Sequence, residues 1–193
     1  MNLYVAARSD VGMIRAGNED SFFAEANDKR GLFIVADGMG GHAAGEVASE
    51  MAVQIISREL AGITEVNGDS VSAKVAEAVK KANSKIYERT ITEVDKQGMG
   101  TTASVLILTG SRYLIGQVGD SRVYLLRDGT LRQLTKDHSY VQEQVDAGFL
   151  TPEQGNYSVM HEGTDDTFLH AVAARLAPLA ESTLVVDNIF TPD

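Results

Sequence analysis

Apolar residues along this chain change their period several times, and each change marks an element boundary. Leu3–Ala7 is a short apolar run that predicts a strand, followed by the turn-rich Ser9-Asp10-Val11-Gly12. A polar stretch, RAGNEDS, precedes Phe22 and Phe23, and Asp28-Lys29-Arg30-Gly31 reads as a hairpin turn into the apolar run Leu32–Ala36. That run stops abruptly at Asp37. From Ala43 the period is helical: Val47, Met51 and Ile55 recur on one row, with Ala48, Ala52 and Ile56 on the next, up to Gly62. Asn67-Gly68-Asp69-Ser70 predicts a loop with a helix cap, and Val71, Val75, Val79, Ala82 and Ile86 form the stripe of a second helix. With one apolar stripe each, both helices are expected to lie on a sheet.

The second half is β in character. Thr101–Leu108 is rich in β-branched and apolar residues, Gly110-Ser111 turns into Tyr113–Val118, and Gly119-Asp120-Ser121 interrupts before Arg122–Leu126. Asp128-Gly129 is a strong hairpin signal into Leu131–Leu134. Tight turns mean antiparallel pairing, and helices grouped ahead of the strands indicate an α+β fold, not an alternating doubly wound sheet. A short helix is expected over Tyr140–Ala147, ended by Gly148, then a helix over Thr167–Leu176 and a last strand at Leu184-Val185-Val186. There is no internal repeat, low-complexity run or linker, so residues 1–193 are expected to form one domain.

Composition narrows the partners. A net charge of −10, with Asp+Glu 27 against Lys+Arg 17, argues against a nucleic acid or an anionic membrane. The absence of cysteine excludes disulfides, thiolate metal sites and cysteine nucleophiles. No basic-then-apolar leader opens the chain, and no apolar run approaches the roughly 18 residues that span a bilayer. A cytoplasmic monomer is the expectation.

The candidate chemistry centres on LFIVADGMGGHAAGE, residues 32–46, where a buried strand ends in an acid and glycines let the backbone bend closely around a ligand. Glu19, Asp20, Asp37 and Asp120 sit at turns or strand ends, and hairpin pairing is expected to bring the Arg15–Asp20 cluster beside Asp37. Taken singly, each has an ordinary explanation as a turn or surface residue, as do His42 and Arg15. Together, oxygen ligands without cysteine suit Mg²⁺ or Mn²⁺ over zinc or copper, and Arg15 offers a planar fork to a phosphate. That combination describes hydrolysis of a phosphate ester by a metal-activated water. A nucleotide-phosphate loop at Gly38–Gly45 is disfavoured, because no Lys-Ser/Thr follows the glycines.

In order, RAGNED (15–20), VADGMGGHAAGE (35–46), GMGTT (98–102), VGDSRVYLLRDG (118–129) and LTKDHSYV (134–141) closely resemble the successive motifs of the metal-dependent protein phosphatases (type 2C, or PPM) in their bacterial form. The resemblance runs over residues 3–154 and leaves 155–193 divergent. It implies a sandwich of two antiparallel β-sheets flanked by α-helices, and hydrolysis of phosphoserine and phosphothreonine in the protein substrates of a serine/threonine kinase. It implies two Mn²⁺ or Mg²⁺ ions, with Asp37 bridging them, Gly38 ligating through its carbonyl, and Glu19 and Asp20 serving the second metal. Asp120 would hold a third, weaker ion. Arg15 would hold the substrate phosphate, His42 would protonate the leaving alkoxide, and a bridging water would attack phosphorus in line.

Relatives carry two further ligand aspartates, in a Ser-Asp-Gly and in a Gly-x-Asp-Asn motif. Here no Ser-Asp-Gly follows Asp137, and Asp187-Asn188-Ile189 echoes the second without its glycine. Three explanations stay open: a truncated or frame-shifted product, a natural variant with replacement ligands such as Asp165 or Asp166, and a pseudophosphatase that binds a phosphoprotein or partner without turnover.

Overall fold

The computed structural model describes residues 3–12, 17–40, 44–66, 68–152 and 154, and the backbone of 182–187. The chain forms two compact units, Met1–Val118 and Gly119–Asp193, each described by itself.

In the first unit, β1 (Asp20–Ala26) and β2 (Arg30–Met39) form the expected antiparallel hairpin, with Ala26 opposite Gly31 and Asp20 opposite Asp37. Its turn is built on Asn27, whose Oδ1 accepts the N–H groups of Lys29 at 2.9 Å and Arg30 at 3.0 Å. β3 (Gly100–Thr101) pairs with the end of β2, and β4 (Ala103–Thr109) with its main length. β5 (Arg112–Val118) completes the order β1-β2-β4-β5. β2 therefore has a strand on both sides, and Leu32, Ile34 and Ala36 are completely buried.

α1 (Ala44–Leu60) lies on this sheet. Its innermost row is Ala48-Ala52-Ile56, flanked by Gly45, Ser49 and Val53, whereas Val47, Met51 and Ile55 are only half-buried. Small side chains at the centre let the helix approach the sheet closely, and the bulkier row closes the flank. α2 (Asp69–Thr92) differs from the expectation: its stripe of Val71, Val75, Ala78, Ala82 and Ile86 packs chiefly against α1. It reaches the sheet at β5, where Val75 fills the space over Gly116. Nor is it capped by a side chain, since its N-cap is Gly68. Leu3–Ala7 forms no strand, and Tyr4 is 94% exposed. Strand composition yields a strand only where the run pairs along a sheet edge, and Leu3–Ala7 does not pair with β1 or β5. No described helix is long and apolar enough to cross a membrane.

Arg30 ties the hairpin to the helix. Its guanidinium is buried and donates to the carbonyls of Ala61 and Ile63, just past the end of α1, and to Glu25 at 3.2 Å. These carbonyls would otherwise be orphaned at the helix terminus.

In the second unit β6 (Arg122–Arg127) pairs antiparallel with β7 (Thr130–Gln133) and with β8 (Ser182–Asp187), the last strand that the sequence predicts. The β6–β7 turn has φ of 51° at Asp128 and 71° at Gly129, the left-handed pair a tight hairpin requires. α3 (Tyr140–Asp146) starts where Ser139 Oγ accepts the Gln142 N–H. Arg122 grips Asp137 through Nε at 3.0 Å and Nη2 at 2.7 Å, and reaches the Tyr124 hydroxyl. Burial works against the charge on Arg122, yet its bonds to Asp137 and Tyr124 raise its pKa above the ordinary arginine range. The helix expected over Thr167–Leu176 lies outside the described residues.

Two stability measurements test these ties. Arg30→Ala uncaps two carbonyls and is expected to cost about 2–3 kcal/mol in urea unfolding; a loss below about 0.5 kcal/mol would mean the contacts are incidental. Asp137→Ala strands a largely buried guanidinium and is expected to cost about 3 kcal/mol.

Candidate metal centre

Asp37 reaches the end of β2 with its main chain bonded in both directions. Its N–H donates to Thr102 Oγ1 at 2.9 Å, and its carbonyl accepts from the Thr102 N–H at 2.9 Å and Thr101 Oγ1 at 2.8 Å. The side chain is 9% exposed. Among the described residues no hydrogen-bond donor and no cationic side chain meets its carboxylate. Asp137, equally buried, has the fork of Arg122. A buried carboxylate without a cation is costly, so Asp37 is the group whose environment calls for one.

The hairpin register supplies its neighbours. Asp20 is directly opposite Asp37 on β1, so both side chains leave the same face of the sheet. The carbonyl of Glu19 accepts two bonds, from the Gly38 N–H at 3.1 Å and from Ser49 Oγ at 2.6 Å. Ser49 is wholly buried on α1 and also meets Ser21 Oγ at 3.0 Å. Strand β1, strand β2 and helix α1 are thus pinned together at the residues that carry the acids.

Two glycines allow this convergence. A Cβ on Gly38 would fall inside the Gly45 peptide and 2.7 Å from the Glu19 carbonyl oxygen. One on Gly45 would lie 2.8 Å from both Cδ and Oε2 of Glu19. The Glu19 carboxylate therefore rests on the first turn of α1, where the helix dipole favours negative charge.

These are oxygen donors only, and the set fits a hard divalent cation completed by water and substrate oxygens. It is not a preformed cage: among the described residues no group of three or more His, Asp or Glu side chains closes around one point. Of the residues singled out in the sequence, Glu19, Asp20, Asp37 and Gly38 are brought together. Asp120 belongs to the second unit, half-buried in the bend after Gly119. Arg15, His42, Asp165 and Asp166 lie outside the described residues, and Asp187 is described only as the backbone end of β8. Sequence reasoning missed Ser49, Thr101 and Thr102. The threonines stood inside the GMGTT motif, while Ser49 was hidden on the buried face of a helix.

Comparison with known proteins identifies the family of the chain. The model of the family described as protein phosphatase 2C matches residues 15–172, beyond Gln154, where the motifs read from the sequence stop. The serine/threonine protein phosphatase PstP of Mycobacterium tuberculosis is 47% identical over 154 residues, covering 80% of this chain and 29% of that protein. The serine/threonine phosphatase stp of Listeria welshimeri is 41% identical over 153 residues, covering 78% of this chain and 61% of its own length. Among solved structures, the catalytic domain of PstP in complex with two manganese ions superposes with a TM-score of 0.65 at 47% identity. That match covers 77% of this chain and 61% of the other. This chain thus spans less than two thirds of the length of these relatives. With its α+β architecture of antiparallel sheets and helices, it belongs to the protein phosphatase 2C family.

Proposed function

We propose that this chain hydrolyses phosphoserine and phosphothreonine in proteins with the help of Mn²⁺ or Mg²⁺. The observation that carries the reading is the buried Asp37 carboxylate, without a cationic partner among the described residues, held beside Glu19 and Asp20. The names of the relatives and the manganese ions of the PstP catalytic domain support it.

Asp37 and Glu19 would hold the cations, with Asp20 and the Gly38 carbonyl completing the donor set. A divalent ion bound there supplies positive charge that acidifies a coordinated water and neutralises the phosphate. The chain's own work is to keep those oxygens fixed. The main chain of Asp37 is held because its N–H and carbonyl are both bonded, and that of Glu19 because its carbonyl is shared by β2 and α1. Arg15 would orient the phosphate through its fork, His42 would return a proton to the serine or threonine oxygen that leaves, and Asp120 would bind a further, weaker ion. No cysteine is needed, because no phosphoenzyme is formed.

Hydrolysis of an aryl phosphate and of a phosphothreonine peptide is expected with Mn²⁺ and to vanish with chelator. Asp37→Asn should lower kcat/KM by about a hundredfold or more, the size of several kcal/mol of lost charge stabilisation. A folded chain that is silent at millimolar Mn²⁺, or an Asp37→Asn variant as active as the parent, would sink the reading. Gly38→Ala forces a methyl group into the Gly45 peptide. It is expected to lower stability by about 2 kcal/mol and to reduce turnover in the fraction that stays folded; chemical unfolding and the same assay measure both.

A further inference from the structure

We infer that Thr101 and Thr102 are positioning residues that set the direction of the Asp37 carboxylate by replacing a strand–strand hydrogen bond with side-chain hydroxyl bonds. The inference rests on the reading of Asp37 as a metal ligand and extends it to residues that bond the Asp37 backbone.

The register of β2 against its partners is continuous. Val35 is opposite Ser104 on one side of the site, and Gly38 is opposite Thr101 on the other, so Asp37 faces Thr102. In a regular antiparallel pair two facing residues either exchange both backbone hydrogen bonds or neither. Here only half of the exchange is made. The Thr102 N–H reaches the Asp37 carbonyl at 2.9 Å, but the Asp37 N–H turns to the Thr102 side chain, Oγ1, at 2.9 Å.

Thr101 completes the substitution. Its hydroxyl lies 2.8 Å from the Asp37 carbonyl oxygen and 2.9 Å from the Thr102 carbonyl oxygen, the acceptor that a regular ladder would have offered to Asp37. The strand assignment breaks at this point, between β3 and β4. The interruption has no cause in chain length, because no residue is inserted. It comes from two hydroxyls, one accepting the Asp37 N–H and one donating to the Asp37 carbonyl, on the two peptide units that flank the Asp37 Cα. Thr102 is 3% exposed, so the bond from the Asp37 N–H to its hydroxyl is made away from bulk water.

The consequence separates position from stability. Thr102→Val is nearly isosteric and removes the acceptor, leaving the Asp37 N–H free to take the Thr102 carbonyl and the peptide to relax toward a regular strand. The fold should survive while the carboxylate turns away from its working direction. Groups that orient a ligand residue from outside the coordination sphere typically govern about 10–100-fold in metal affinity.

The test is Mn²⁺ binding by calorimetry and by the loss of the free-ion electron paramagnetic resonance signal, on the full chain, without substrate. Thr102→Val is expected to weaken binding about tenfold with its thermal unfolding midpoint in chelator close to that of the parent, and Thr102→Ser to restore parental affinity. Thr101→Val, which removes the donor to the carbonyl, should also weaken binding and decides the matter should Thr102→Val not fold. Parental affinity in a folded valine variant, or no rescue by serine, overturns the inference alone. A parent chain that binds no Mn²⁺ at all overturns both the inference and the function proposed above.

Discussion

The first unit depends on the peptide that joins Asp37 to Gly38. Its carbonyl accepts from Thr101 and Thr102, its N–H on Gly38 is given to Glu19, and the preceding N–H, of Asp37, goes to the Thr102 hydroxyl. Since Ser49 of α1 bonds the same Glu19 carbonyl, the helix that covers the sheet is anchored at the same point. The contact is possible only because Gly38 and Gly45 have no side chains to keep strand and helix apart. Hydrophobic burial explains why α1 lies on β2. It does not explain its height along the strand, which these few polar bonds and the glycine contact determine.

The same arrangement gathers acids around an Asp37 carboxylate that meets no cationic side chain among the described residues. Asp37 and Asp137 show the two ways of treating a buried carboxylate. Asp137 is satisfied internally by Arg122 and serves structure. Asp37 has its backbone satisfied and, among the described residues, no partner for its side chain, which favours a cation there. A ligand that binds only the folded state adds its binding free energy to stability. On the proposed reading, therefore, a divalent ion offsets the strain that the site imposes on the unit.

Much of this was legible in the sequence because it rests on short-range rules. The Asp28-Lys29-Arg30-Gly31 turn gave the β1–β2 hairpin, and with it the approach of Glu19 and Asp20 to Asp37. Asp128-Gly129 gave the β6–β7 turn. What escaped depends on tertiary contacts. Leu3–Ala7 has strand composition but pairs with no strand, and the stripe of α2 says that one face is covered without saying by what; the answer is mainly α1. Ser49, Thr101 and Thr102 have no sequence signature as positioning groups, since a hydroxyl's importance lies in which backbone atoms it meets across the fold. Arg30 likewise reads as part of a turn, yet its work is done at the far end of α1.

The central claim is that the Asp37 carboxylate is a cation ligand, and crystals of the chain soaked in Mn²⁺ test it most directly through anomalous scattering at the manganese edge. An anomalous peak within coordination distance of an Asp37 carboxylate oxygen, absent from Asp37→Asn crystals, is the predicted result. A clean map with no peak at Asp37, or one in which a protein side chain already pairs with that carboxylate, would contradict it.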